Sequence, residues 1–205
     1  MQIFYWFLII VGGFLSGGVM FCEIIPKKFF KSDICEISVD NNPGAFNVFK
    51  HCGKKAGMLC LSLDVMKGFI PVLIASLCMD ADSIAFSLAV AAPALGHAVG
   101  VFNRFRGGKC IAVSFGITLG LIPVAWYAFV ALAALFVFFS TVIKINPASK
   151  RSVLVYVLFA LIVCPLLAVT GMAYAAIGCG LLASLPVIKF LFSKNGMVEN
   201  TIKQK

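Results

Sequence analysis

Apolar residues fall in long blocks along this chain, at about residues 3–25, 56–78, 83–102, 110–123, 124–143, 152–169 and 171–192. Each block is near the length a helix needs to cross a bilayer. The pattern therefore predicts an all-α integral membrane protein with about seven transmembrane helices. The blocks at 110–123 and 124–143 adjoin. As one helix they would extend about 50 Å at 1.5 Å per residue, too long for one crossing. Pro123 supplies a break, so two short crossings are expected. The block from Ile3 to Ile25 has no basic segment before it and no A-x-A cleavage site, so it reads as a retained helix.

Composition agrees with this reading. Of 205 residues, 61% are hydrophobic and 12% charged, and the mean hydropathy is +1.04. A soluble domain of this size needs far more polar surface. With no internal repeat, Pro-rich linker or low-complexity tract, residues 1–205 read as a single transmembrane domain.

The net charge of +9 would suggest nucleic acid in a soluble protein, but its distribution points to a membrane instead. With the N-terminus outside, Lys27, Lys28, Lys31, Lys50, Lys54 and Lys55 fall in the first inner connection. Arg104, Arg106 and Lys109 fall in the second, and Lys144, Lys150 and Arg151 in the third. Lys189, Lys194, Lys203 and Lys205 lie at the C-terminal end, also inside, which leaves only Lys67 within a helix. The outer connections carry Asp80 and Asp82 and no cation. This is the positive-inside pattern, and it places the C-terminus in the cytoplasm.

The eight cysteines contain no C-x-x-C pair, and the chain has two histidines. The cysteines read as small hydrophobes, and no metal or other cofactor is expected.

Candidate chemistry collects at the inner side. Gly96-His97 is followed by Arg104-Phe105-Arg106-Gly107-Gly108-Lys109 ahead of an apolar block. A glycine pair beside three cations at a helix start suits an anion at a membrane surface, because bare amides and the helix dipole both favour negative charge. The segment is not a Walker A loop: Asn103 stands where that motif needs glycine, and Cys110 follows the lysine. The turn Asp40-Asn41-Asn42-Pro43-Gly44-Ala45-Phe46-Asn47-Val48-Phe49-Lys50 could bind phosphate or hydroxyls, or be an ordinary polar loop. Lys67 and Asp64, three residues apart, share a helix face; they form a structural ion pair, or Lys67 approaches an anion. His97 is either a packing residue or part of the site, and Glu23 is read as paired or snorkelling.

Taken in order, these segments resemble the PlsY family of bacterial membrane acyltransferases. The resemblance rests on Asn42–Lys50, Gly53-Lys54-Lys55-Ala56-Gly57, Leu63-Asp64-Val65-Met66-Lys67-Gly68-Phe69-Ile70-Pro71-Val72, Ala92-Pro93-Ala94-Leu95-Gly96-His97 and Phe105–Val113, across about residues 5–125. It implies seven helices in the bacterial plasma (inner) membrane, with the active site facing the cytoplasm. It also implies acyl transfer from acyl phosphate to sn-glycerol 3-phosphate, giving 1-acyl-glycerol 3-phosphate and phosphate, with no nucleic acid and no cofactor. The residues it points to are His97 and Lys109 as catalytic, and Asn42, Gly44, Asn47, Lys50, Lys67, Arg104, Arg106, Gly107 and Gly108 as substrate-binding. An acyl phosphate is a mixed anhydride with a good leaving group, so cations need only neutralise the departing phosphate. The hydroxyl proton goes to a substrate phosphate oxygen or to His97.

The chain departs from the family pattern at several places. Asp40-Asn41-Asn42 replaces Ser-Gly-Asn, Phe46 replaces Thr, Lys50 replaces Arg, and Cys110 and Val113 replace Gly and Thr. Near the C-terminus, Ser184–Leu191 keeps only Lys189 of an Arg/His/Asn-rich motif. A non-catalytic relative that binds acyl phosphate or lipid phosphate as a regulatory or partner subunit is the alternative reading. The sequence leaves the oligomeric state open.

Overall fold

The computed structural model describes the backbone of residues 2–203 and the side chains of residues 2–192. Lys194, Lys203 and Lys205, expected on the inner side, therefore lie outside the described side chains. The elements are α1 (Gln2–Gly18), α2 (Phe21–Phe30), α3 (Ile34–Ile37), α4 (Ala45–Cys52), α5 (Lys54–Cys78), α6 (Ile84–Val99), a 3₁₀ turn (Val101–Asn103), α7 (Ile111–Gly120), α8 (Ile122–Thr141), α9 (Ala148–Val169) and α10 (Ala173–Lys203). Among the described residues there is no strand.

Five helices are long and apolar enough to cross a membrane, and α1 with α2 makes a sixth span bent by 42°. This is a multi-pass membrane protein. The expected crossing at 110–123 appears as α7, whose ten residues extend only about 15 Å. Between α7 and α8 the helix is interrupted from Leu121 to Ala125, where Ala125 has non-helical backbone angles (φ −151°, ψ 64°), so the expected break point Pro123 lies within the interruption. A proline there lacks the N–H that a continuous helix would need.

The block at 3–25 is broken as well, between Gly18 and Phe21. A break inside a bilayer leaves carbonyls that need a donor. Here Lys67 of α5 supplies one: its Nζ donates to the Val19 carbonyl at 2.6 Å and pairs with Asp64 at 2.8 Å. Asp64 also accepts from the Cys22 thiol at 3.1 Å, and the Phe21 ring centroid lies 5.7 Å from the ammonium. The Lys67–Asp64 pair is thus buried structural wiring between α1, α2 and α5.

Small residues set the tightest helix contacts, as is usual in membranes. Where α1 meets α6, a Cβ on Gly96 would overlap the Phe14 carbonyl. Phe86, Ile117, Leu121, Tyr156 and Phe159 are fully buried in the core built by α5 to α10.

The connections sort to two ends of the bundle. At one end Asp82 accepts from the Tyr174 amide at 3.2 Å and Ser87 donates to the Tyr174 carbonyl at 2.6 Å, joining the 79–83 and 170–174 segments. At the other end the three cation-bearing connections meet α10.

Candidate active site

A cleft of about 350 Å³ opens at that second end. Val39 and Asp40 line it from the first connection, and Phe46, Asn47, Lys50 and His51 from α4. Lys109 and Ile111 reach it from the start of α7, Pro147, Ala148, Ser149 and Ser152 from the start of α9, and Pro186 and Phe190 from α10. Three helix beginnings therefore face one space. Their N-cap positions, Gly44, Cys110 and Pro147, provide no side-chain cap, so the first-turn amides keep their partial positive charge for the cleft.

The turn before α4 is built by its own side chains. Asn47 donates to the Asn42 carbonyl at 2.8 Å and to Asp40 Oδ1 at 2.9 Å, and the Gly44 amide donates to the Asn42 carbonyl at 2.8 Å. The other oxygen of Asp40 pairs with Lys109 Nζ at 2.6 Å. This bond ties the first connection to the start of α7. Burial alone would raise the Asp40 carboxyl, but hydrogen bonds from Lys109 and Asn47 outweigh it and hold the group below the usual carboxylate range.

Behind the cleft the chain doubles back on the end of α6. Gly100 caps α6 in the left-handed region (φ 65°), and Arg104 and Phe105 also have positive φ (52° and 60°). Gly107 and Gly108 then lie directly on α6. A Cβ on Gly107 would overlap the Ala98 carbonyl, and one on Gly108 would overlap His97 Nε2. The Gly108 amide donates to the His97 carbonyl at 3.0 Å.

The candidates named from sequence separate accordingly. Asn47, Lys50 and Lys109 share the cleft wall, with Asn42 and Gly44 shaping the turn behind them. Lys67, expected from sequence to pair with Asp64 or to approach an anion, bonds Val19 and Asp64 and is not among the residues that line the cleft. The Gly-Gly pair serves close packing, and Gly108 spends its amide on His97 instead of on an anion. His97 is buried beneath this loop, its Nδ1 without a hydrogen-bond partner among the described residues, and does not line the cleft. Arg104 and Arg106 are exposed and absent from the wall. The start of α9, with Pro147 and Ser149, was not picked out from sequence. Its only signal was Pro147 ahead of an apolar block.

A second polar cluster braces the first connection. Lys27 bridges Glu23 at 2.7 Å and Asp33 at 2.8 Å. Burial would raise Asp33, yet hydrogen bonds from the Lys27 ammonium and the Glu36 amide help bring it down to about 2. Ligand-type atoms of Glu23, Asp33 and Cys35 lie within 4.8 Å of one another, with the Lys27 ammonium bonded to both carboxylates. Burial pushes the Cys35 thiol up to about 12, so it stays protonated and behaves as a small hydrophobe.

The helices and the cleft together define an all-helical, multi-pass membrane protein with a cationic cleft at one end of the bundle. The chain belongs to the glycerol-3-phosphate acyltransferase family, whose profile matches residues 7–195. It is 39% identical to the glycerol-3-phosphate acyltransferase of Endomicrobium trichonymphae over 62% of this chain and 61% of that one. It is 35% identical to that of Hydrogenobaculum sp. (strain Y04AAS1) over 75% of this chain and 76% of the relative. Among solved structures it resembles the glycerol 3-phosphate form of PlsY (YgiH), an integral membrane glycerol 3-phosphate acyltransferase. That likeness has a TM-score of 0.76 at 27% identity and covers 96% of this chain and 93% of the other.

Proposed function

We propose that this protein transfers an acyl group from acyl phosphate to sn-glycerol 3-phosphate, giving 1-acyl-glycerol 3-phosphate for phospholipid synthesis. One observation carries the reading: Lys50, Lys109 and three uncapped helix starts converge on one cleft, in a chain of this family. Such a wall suits two phosphate-bearing reactants. Its apolar side, with Phe46, Ile111, Pro186 and Phe190, suits the acyl chain.

In the reaction the glycerol hydroxyl oxygen attacks the acyl carbonyl carbon and forms the ester bond. The bond from that carbon to the phosphate oxygen breaks, and its electron pair leaves with phosphate. Lys109 and the first-turn amides of α7 stabilise the departing charge. Lys50 and the start of α9 hold the acceptor's phosphate. The hydroxyl proton passes to a phosphate oxygen of the substrate, because His97 sits beneath Gly108 and off the cleft wall. His97 acts as a positioning residue for the loop that carries Lys109.

The finer topology is part of the proposal. Seven crossings, with α7 as a short one, put the N-terminus outside and the cleft at the cytoplasmic face of a bacterial plasma membrane. Convergence of the cation-bearing connections on one end supports this orientation. The test is phosphate release by purified protein given acyl phosphate with and without glycerol 3-phosphate. Acceptor-dependent release with a lysophosphatidate product supports the reading. Binding of acyl phosphate without release would leave a non-catalytic relative.

A further inference from the structure

Asp40 holds two of the donors on the cleft wall. Its carboxylate takes the ammonium of Lys109 at 2.6 Å and the amide of Asn47 at 2.9 Å, two donors on the cleft wall. Carboxylate and phosphate ask for the same partners: cations and polarised N–H groups arranged around an anionic oxygen. Asp40 is neither locked away nor free, with 34% of its side chain exposed against 27% for Lys109. Its segment is short and tied to the rest of the cleft through Asn47 and the Asn42 carbonyl, so the carboxylate is tethered within reach. The Asp33–Lys27–Glu23 cluster braces the same connection from behind.

We propose that Asp40 is a specificity-determining residue that acts as a tethered competitor for the phosphate position on Lys109. This inference rests on the cleft being the phosphate site of the proposed reaction. When no phosphate is bound, Asp40 neutralises Lys109. A phosphate-bearing ligand enters by replacing the Asp40 contact with its own, and the carboxylate returns when phosphate leaves. The exchange weakens binding of every phosphate by the strength of the pair, and it weakens the phosphate product along with the substrates. A ligand that offers Lys109 a second charged oxygen overcomes Asp40, whereas a singly charged one competes on equal terms. Asp40 therefore sets a threshold of anionic charge for occupancy and limits retention of the phosphate released in each turnover.

The test uses the full chain in detergent and inorganic phosphate as the probe, with binding measured by calorimetry. Asp40→Asn keeps an acceptor for Asn47 and removes the charge, and Asp40→Ala removes both. The expected result is phosphate binding at least about fivefold tighter in both variants, matching the loss of a partly exposed ion pair. In a Lys109→Ala background the same substitutions change binding less than twofold. Damage to the fold would weaken binding, so tightening cannot come from a merely structural role. Unchanged or weaker phosphate binding in both variants overturns the proposal. Because binding is read without turnover, the two claims fail separately. Tighter binding in a protein with no acyl transfer would sink the reaction and keep the competitor. Active protein with unchanged binding would do the reverse.

Discussion

The Gly108 amide donates to the His97 carbonyl at 3.0 Å, and the space that a side chain on Gly108 would fill is occupied by His97 Nε2. The pair locks the loop before α7 onto the end of α6 and so fixes where Lys109 starts its reach into the cleft. Gly108→Ala must push the ring or the loop aside. Acyl transfer is expected to fall by about 10²-fold, the usual cost of a misplaced catalytic group. In a His97→Ala background the same change should cost less than about tenfold, because the clash is gone. A double-mutant cycle on turnover checks this coupling, and equal losses in both backgrounds would show that the two residues act independently.

Lys67 and Asp64 make a different prediction, about stability rather than chemistry. Lys67→Met leaves Asp64 buried without its cation and the Val19 carbonyl without its donor. The expected cost is about 3–5 kcal/mol, read as a fall in the detergent melting temperature. Adding Asp64→Leu should recover most of it, since the unpaired charge is then removed too. Turnover per folded molecule should stay within about threefold in the double variant, since neither side chain lines the cleft.

Acid should test the brace behind the cleft. Asp33 is lowered from its ordinary 3.8 to about 2, so its contribution is present above the ordinary value and is lost as pH falls through about 2. Asp33→Asn should therefore melt below the parent by a constant margin from neutral pH down to about 4. The margin should close as pH approaches 2. A gap that closes between pH 7 and 5 would mean that a different group titrates there.

Sidedness has a direct test in single cysteines on a cysteine-free background. A cysteine at Asp80, in the connection that carries only acidic charge, should react with a membrane-impermeant thiol reagent applied to intact cells. One at Lys144, in a cation-bearing connection, should react only after permeabilisation. Labelling of both from outside would contradict the proposed orientation.

Helix positions were legible in the sequence because a bilayer demands long apolar blocks, and six of the seven blocks appear as long helical spans, the first of them bent. The exceptions have local causes. The first block breaks because Lys67, distant in sequence, can satisfy the Val19 carbonyl, and α7 is short because the chain leaves the helix between Leu121 and Ala125, around Pro123. For the cleft, Asn47, Lys50 and Lys109 were visible as cations and amides in polar connections. The start of α9 was not, because convergence of the 147–152 segment with the first connection is a long-range fact that no local pattern records. The glycines at 107 and 108 signal a close approach in the sequence, and the structure shows the end of α6 and His97 packed against them.

The most direct test of the central claim is acceptor-dependent phosphate release by Lys109→Ala, compared with the parent at saturating glycerol 3-phosphate and acyl phosphate. The account predicts a fall of about 10²–10³-fold in turnover, the cost of removing one preorganised group that stabilises developing charge. The variant should melt within a few degrees of the parent, because its ion pair with Asp40 is partly exposed. Turnover within twofold of the parent in a folded Lys109→Ala protein would contradict the placement of the departing phosphate in this cleft.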